Sequence, residues 1–156
     1  MTIKILIADK LAPEGATFLK AQKNVEVIEN TGLSGDALVT AIAEADGVIV
    51  RSSVKLTEEI LDKAFQNPEC RLKGIARAGV GVDNIDLQTA TKYGIAVMNS
   101  ASASTITTAE HAFALMISLA RNVANSNGVF RSGGWDRSKY VGVQLAGRTL
   151  GIVGMG

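Results

Sequence analysis

The residues best suited to do chemistry surround a glycine-bearing loop, Gly79 to Gly81. The loop follows a short apolar segment that ends at Arg77 and precedes a helix start, and Arg51 ends another apolar segment. Because glycine lacks a Cβ, we expect the loop to adopt positive φ and to let a ligand approach its backbone. Consecutive N–H groups before a helix N-terminus form an anion-binding concavity. Two guanidiniums and these amides predict a site for a small, multiply anionic molecule. The alternative is a connecting loop whose arginines solvate a sheet edge.

Two other reactive side chains, His111 and Cys70, are single examples of their type. The histidine lies in an apolar segment with helical spacing, where a solitary histidine is usually structural. The cysteine has no second cysteine with which to form a disulfide, which suits a reducing cytoplasm. We assign neither residue a catalytic role and predict no metal site.

The composition is that of an ordinary globular domain. Hydrophobic residues make up 47% of the 156 residues and charged residues 20%. The formal net charge of +1 gives no reason to expect a nucleic-acid or membrane partner. The sequence has no long apolar run that could span a bilayer and no signal-peptide pattern. We therefore expect a cytoplasmic protein with one domain and part of a second.

Alternating strands and helices must position the arginines. Five apolar segments begin near residues 3, 24, 47, 73 and 95, with a helical pattern in each gap. This spacing is typical of successive right-handed βαβ units, and it predicts a flavodoxin-like, doubly wound α/β domain with a parallel sheet. Ligands of such sheets bind beyond the carboxyl ends of the strands, where Asp9, Arg51 and Arg77 follow their segments.

The helix ends carry recognisable signals. Ser34 or Asp36 is predicted to cap the second helix, and Thr57 and Asp86 to cap the third and fourth. Gly94 is predicted to end the fourth helix in a left-handed conformation.

Two other ligand classes of this topology are excluded by residue type. A flavin site requires a hydroxyl- and glycine-rich loop after the first strand, and residues 9–13 do not supply one. A phospho-receiver requires a carboxylate after the third strand and a lysine after the fifth, but those positions hold Arg51 and Asn99. An anion-binding domain remains.

The pattern changes after residue 99. Residues 100–104 alternate serine and alanine and predict a hinge. Thr107 and Glu110 have capping-box spacing and predict the start of the longest helix, which runs to about Val123. This helix is apolar nearly all round, so we expect its own domain and a second subunit to bury it.

The end of the sequence resembles half of a nucleotide-binding motif. Leu150 to Val153 is predicted to form a strand, and Gly154 and Gly156 follow it. A strand followed by Gly-x-Gly is the front half of a dinucleotide-binding fingerprint, which also needs a third glycine and a helix.

Several stretches together resemble the D-2-hydroxyacid dehydrogenase family. They are residues 77–86, 93–99, 109–111 with the long helix, Trp135, and 145–156. The segment 50–53 makes the chain most similar to members that oxidise 3-phosphoglycerate to 3-phosphohydroxypyruvate with NAD, in serine biosynthesis.

The resemblance implies roles for five residues around the substrate. Arg51 and Arg77, with Ser52 beside them, would face the phosphate and the carboxylate, a task suited to bidentate guanidiniums. The backbone amides of Val80 and Gly81 would hold the carboxylate.

The resemblance also implies a cofactor and a partner. Val80 would contact the nicotinamide end of NAD, and Gly154 and Gly156 would belong to its phosphate loop. The 105–124 helix would form a homodimer.

The family's catalytic arginine, glutamate and histidine follow the glycine fingerprint, so we expect this chain alone to be inactive. Residues 1–99 would be a substrate-binding domain that lacks its C-terminal elements. Residues 100–156 would be the first helix and strand of a truncated Rossmann NAD-binding domain. Two alternatives stay open: a standalone anion-binding or dimerising flavodoxin-like module, and a different 2-hydroxyacid dehydrogenase.

Overall fold

Five short strands form at the apolar segments, with a helix in every gap between them. The computed structural model describes residues 2–154. The elements are β1 Ile3–Ile7, α1 Pro13–Lys20, β2 Val25–Glu29, α2 Gly35–Ala43, β3 Gly47–Val50, α3 Glu58–Phe65, β4 Gly74–Arg77, α4 Leu87–Lys92, β5 Ala96–Asn99, α5 Thr105–Ala120 and α6 Val123–Arg131. A 3₁₀ turn, Ser138–Tyr140, follows. Within residues 2–154, no helix has the length and apolarity needed to cross a bilayer.

The chain divides into two compact units, which are described separately. The sheet unit is Met1–Ser104, and the helix unit is Thr105–Gly156.

All strand pairs of the sheet unit are parallel, in the order β2-β1-β3-β4-β5. This order is the flavodoxin-like arrangement, so the predicted fold class is confirmed. β1 was predicted to reach Ala8 and ends at Ile7. β5 lies one residue later than predicted.

The two faces of the sheet are covered unequally. The core on one face contains Leu6 of β1, Val48 of β3 and Ile75 of β4. Buried residues of α2, α3 and α4 belong to the same core. On the opposite face, Ile49 is partly exposed and the side chain of Met98 is 58% exposed. A groove of about 330 Å³ lies between that face and α1. One face is therefore a packed core and the other is partly open.

The predicted helix ends of the sheet unit are confirmed. The side chain of Thr57 accepts a hydrogen bond from the amide of Ile60, and that of Asp86 accepts one from the amide of Thr89 at 2.8 Å. Gly94 has φ +69°, the left-handed conformation that ends α4. Ser34 is the N-cap of α2, although its side chain makes no cap hydrogen bond.

The start of α5 differs from the prediction. The helix begins at Thr105, so Thr107 lies in its first turn and the predicted capping box is wrong. It ends at Ala120, and Asn122 adopts φ +53° before α6 begins. No α5 residue is buried. The expected burial by its own domain is absent because residues 105–154 form no sheet against which α5 could pack, and the expected burial by a second subunit stays a prediction.

The predicted strand at the end of the helix unit does not form. Leu150 to Val153 have no strand pairing, and Ile152 is largely exposed. A strand is stable only when a neighbour satisfies its backbone N–H and C=O groups, and these residues have no such neighbour. Gly154 has φ +92°. Gly156 lies outside the described residues.

Candidate functional site

The two candidate arginines lie on neighbouring strand ends. Val50 of β3 pairs with Arg77 of β4, and Arg51 follows Val50 directly. Because the strands are parallel, both arginines stand at the carboxyl edge of the sheet. The Nε of Arg77 lies 3.4 Å from the carbonyl oxygen of Arg51 and donates a hydrogen bond to it. The sheet register therefore brings the two predicted residues together.

Asp9 organises the loop that follows β3. Its Oδ2 accepts hydrogen bonds from the amides of Arg51 at 2.9 Å, Ser53 at 3.1 Å and Val54 at 3.1 Å. The residue is only 7% exposed. Burial alone would raise the pKa of Asp9, but the hydrogen bonds from Val54, Arg51 and Ser53 outweigh it and lower the pKa. Asp9 is therefore an ionised carboxylate at neutral pH. The sequence located it at this edge without indicating the role.

The guanidinium of Arg77 donates hydrogen bonds to both loops of the site. Nη1 donates to the carbonyl of Gly81 at 2.6 Å, Nη2 to the hydroxyl of Ser52 at 3.1 Å, and Nε to the carbonyl of Arg51. A guanidinium carries more N–H donors than these three bonds use. Arg77 thus braces the two loops of the site and keeps donor capacity for a ligand.

The loop glycines do not adopt positive φ, and the ends of neighbouring side chains lie close to them. Neither Gly79 nor Gly81 is among the glycines with positive φ, so that expectation is wrong. A Cβ at Gly79 would lie 2.7 Å from Nη1 of Arg77, and one at Gly81 would lie 2.9 Å from Oδ1 of Asp83. The close approach is made by the chain's own side chains, which pack over the loop backbone.

Two asparagine amides hold the loops in place. Nδ2 of Asn84 donates to the carbonyls of Arg51 and Val54, both at 2.8 Å. Nδ2 of Asn99 donates to the carbonyl of Val80 at 2.6 Å. No local pattern indicates these roles, because each contact joins residues that are far apart in the sequence.

Several donors of the site stay available to a ligand. Within residues 2–154, the amides of Ser52, Val80 and Gly81 have no acceptor. The Arg51 side chain is exposed, and its Nη1 donates to the carbonyl of Lys10 at 3.3 Å. An exposed cation beside bare amides on rigid strand ends can bind an anion with more than one charged group.

The remaining candidates lie elsewhere. Gly154 belongs to the helix unit. His111 lies exposed on α5, and Cys70 is partly buried against the core of the sheet unit.

A family model matches most of the chain. The model of the D-isomer specific 2-hydroxyacid dehydrogenase, catalytic domain, covers residues 5–143. The chain is 44% identical over 153 residues to D-3-phosphoglycerate dehydrogenase 2, chloroplastic, of Arabidopsis thaliana, covering 98% of this chain and 24% of that protein. It is 42% identical to D-3-phosphoglycerate dehydrogenase of Methanocaldococcus jannaschii, covering 99% of this chain and 28% of that protein. The chain thus spans about a quarter of the length of these curated relatives.

Solved structures share the fold. A Polaromonas protein described as an NAD-binding D-isomer specific 2-hydroxyacid dehydrogenase matches with a TM-score of 0.80 and 29% identity, over 100% of this chain and 49% of that one. The NAD⁺-bound 3-phosphoglycerate dehydrogenase of Entamoeba histolytica matches with a TM-score of 0.60 and 31% identity, over 78% of this chain and 40% of that one.

Proposed function

Because this chain belongs to the D-isomer specific 2-hydroxyacid dehydrogenase family, we propose that its sheet unit holds 3-phosphoglycerate in an NAD-dependent dehydrogenase of serine biosynthesis. The observation that carries the proposal is the exposed Arg51 together with the amides of Ser52, Val80 and Gly81, which have no acceptor among residues 2–154. The relatives that are D-3-phosphoglycerate dehydrogenases support the choice of substrate.

The donors suit the charges of this substrate. Arg51 and the Ser52 hydroxyl would bind the phosphate, since a guanidinium matches the geometry of a phosphate with two parallel N–H···O bonds. The amides of Val80 and Gly81 would receive the carboxylate. Arg77 would direct its remaining donors to the ligand while it holds both loops.

The residues present fit only one end of NAD. Val80 is 48% exposed beside the bare amides and could contact the nicotinamide. A pyrophosphate site needs a strand, a glycine turn and a helix N-terminus, and residues 150–153 form no strand. Bound NAD would accept the hydride that leaves the substrate. The chain's own contribution is to bind and orient the substrate.

The binding experiment compares two ligands and two variants. Replacement of Arg51 by glutamine should weaken 3-phosphoglycerate far more than D-glycerate, by about 1.5–3 kcal/mol, the contribution of a charged hydrogen bond. Calorimetric titration of the 156-residue chain measures both affinities. Arg148→Gln, which removes an exposed arginine of the helix unit, is the control and should leave both affinities unchanged. Equal losses for the two ligands in Arg51→Gln would remove the phosphoglycerate assignment and favour another 2-hydroxyacid substrate.

We propose that the chain alone is not catalytic. The side chains that we expect to meet the ligand are those of arginine and serine, which do not exchange a proton readily near neutral pH, and the Asp9 carboxylate is engaged by three loop amides. NADH absorbance measured with 3-phosphoglycerate and NAD should show no turnover. Turnover above the level of a blank would refute this part of the proposal.

We also propose that α5 forms a homodimer interface. Phe113, Leu115 and Leu119 of this helix are all more than half exposed, and exposed apolar surface of this kind marks association sites. Leu119→Glu should shift the sedimentation coefficient from dimer to monomer. Ile152→Glu, an equally apolar and exposed position outside the helix, is the control. A wild-type chain that sediments as a monomer at high concentration would contradict the dimer.

The domain roles follow from the same proposal. The sheet unit would be the substrate-binding domain, and the helix unit would be the beginning of the nucleotide-binding domain. The division at Ser104 and Thr105 supports two separate bodies. The single cysteine supports a reducing, cytoplasmic environment.

The alternative is a standalone anion-binding module, which would bind 3-phosphoglycerate in the same way. Under this alternative, a longer polypeptide from the same gene would not reduce NAD.

A further inference from the structure

Beyond the arginines themselves, the segment that follows β1 holds the loop from Arg51 to Val54. Three amides of that four-residue loop converge on one oxygen, Oδ2 of Asp9. The next residue, Lys10, accepts a hydrogen bond from Nη1 of Arg51. Arg51 is therefore held at its backbone and at its side chain by two consecutive residues of another strand end.

This arrangement decides which groups of the loop can meet a ligand. The amides of Arg51, Ser53 and Val54 are occupied by Asp9, so they are not available to an external anion. The amide and hydroxyl of Ser52 and the guanidinium of Arg51 are not among the donors that Asp9 accepts from. The buried carboxylate takes the place that an anion would otherwise occupy in this turn.

We propose that Asp9 is a positioning residue of the anion site: its carboxylate fixes the 51–54 loop so that Arg51 and Ser52 are presented to the phosphate of the ligand. The inference rests on the proposed function for the identity of the ligand. It concerns this chain's own loop geometry, which can be measured without any ligand. Asp9 does not need to touch the substrate, and its negative charge is balanced by the three N–H dipoles that surround it.

Asp46 provides a matched control in the same unit. Its Oδ2 accepts a hydrogen bond from the amide of Lys4 at 2.8 Å and one from Nη2 of Arg71 at 2.8 Å. Like Asp9, Asp46 is a sheltered carboxylate that joins the β1 and β3 regions, but it does so at the opposite end of these strands. It binds no part of the 51–54 loop. Loss of either carboxylate removes hydrogen bonds between distant segments, but only the loss at Asp9 removes bonds to the 51–54 loop.

The experiment compares Asp9→Asn and Asp46→Asn with the wild-type 156-residue chain by NMR. In Asp9→Asn, the amides of Arg51, Ser53 and Val54 should exchange with solvent about tenfold faster than in Asp46→Asn, since an ionised acceptor has been replaced by a weaker one. Titration with 3-phosphoglycerate should show an affinity about fivefold lower in Asp9→Asn and unchanged in Asp46→Asn. D-glycerate should bind both variants equally.

The outcomes separate the two proposals. Equal amide exchange in the two variants would overturn the role of Asp9, whatever the ligand result. Faster exchange with equal losses of 3-phosphoglycerate affinity would overturn the positioning role and leave a structural one. A wild-type chain that binds no 3-phosphoglycerate would refute the proposed function, while the exchange data would still decide whether Asp9 fixes the loop.

A second variant tests the proposal if Asp9→Asn does not fold. Asp9→Glu keeps the charge and moves the carboxylate outward by one methylene. We expect it to fold and to bind 3-phosphoglycerate about threefold more weakly, since the loop must follow the displaced oxygen. Wild-type affinity and wild-type exchange in Asp9→Glu would contradict the proposal.

Discussion

The sheet unit and the helix unit contain similar helices but differ in what those helices pack against. In the sheet unit, α2, α3 and α4 cover one face of a five-stranded sheet, and most of their apolar residues are buried or partly buried. In the helix unit, α5 is also rich in apolar residues, yet no described residue of the unit is buried. The comparison teaches that a local pattern suffices to form a helix, whereas burial requires a second surface of matching shape.

The largest change in the free energy of unfolding should come from a buried position of the sheet unit, compared with an exposed position of the helix unit. Ile75 of β4 is fully buried and Leu119 of α5 is 82% exposed. Ile75→Ala should lower the free energy of unfolding by about 3 kcal/mol because it leaves a cavity. Leu119→Ala should change it by less than about 0.5 kcal/mol in a dilute sample. Urea denaturation followed by circular dichroism measures both. A comparable loss at Leu119 would show that α5 is already covered, which would break the contrast between the units.

The pH dependence of stability should also originate in the sheet unit. Hydrogen bonds lower the pKa of Asp9, against the effect of burial, and the amide of Lys4 and the Arg71 guanidinium lower that of Asp46. Since both pKa values lie below the ordinary value of 3.8, their stabilisation is complete above that value. It is lost as the pH falls through the lowered values in the folded state.

Lowering a pKa by one contributes roughly 1.4 kcal/mol to the free energy of unfolding. The free energy of unfolding, measured from pH 6 downward, should therefore change less with pH in the double variant Asp9→Asn, Asp46→Asn than in the wild type. An identical acid transition in both proteins would assign the pH dependence to other carboxylates.

The smallest changes in stability should come from two glycine-to-alanine substitutions, one in each unit, and should have opposite signs. Gly94 ends α4 with φ +69°, so Gly94→Ala should lower the free energy of unfolding by about 1 kcal/mol. Gly128 lies inside α6 with open space around it. Gly128→Ala should instead raise helix stability by about 0.5–1 kcal/mol. Thermal melts measure both changes. A loss at Gly128 would indicate that its surface is in contact with a partner.

Much of the sheet unit could be predicted because several local signals agree. The apolar segments specify the strands, Thr57 and Asp86 specify helix starts, and Gly94 specifies a helix end. These signals involve residues close in sequence, whose conformations respond to steric and hydrogen-bonding rules alone. The regular strand spacing then leaves few topologies, and the flavodoxin-like order is one of them.

The strand predicted at 150–153 failed because it depends on a neighbouring strand that the local pattern does not contain. The burial of α5 by a second subunit stays a prediction. The positive φ expected at Gly79 and Gly81 assumed a conformational role, but these glycines lie instead close to the side-chain ends of Arg77 and Asp83.

In the sheet unit, the sequence by itself determined the element types, their order and the two arginines at strand ends, because these follow from residue type and short-range periodicity. Only the tertiary structure decided how the site is built. Asp9, Asn84 and Asn99 reach it from separate segments and bind backbone groups of its loops. The physical reason is that a hydrogen bond between distant segments depends on the register of parallel strands, and this register is fixed only when the whole sheet packs.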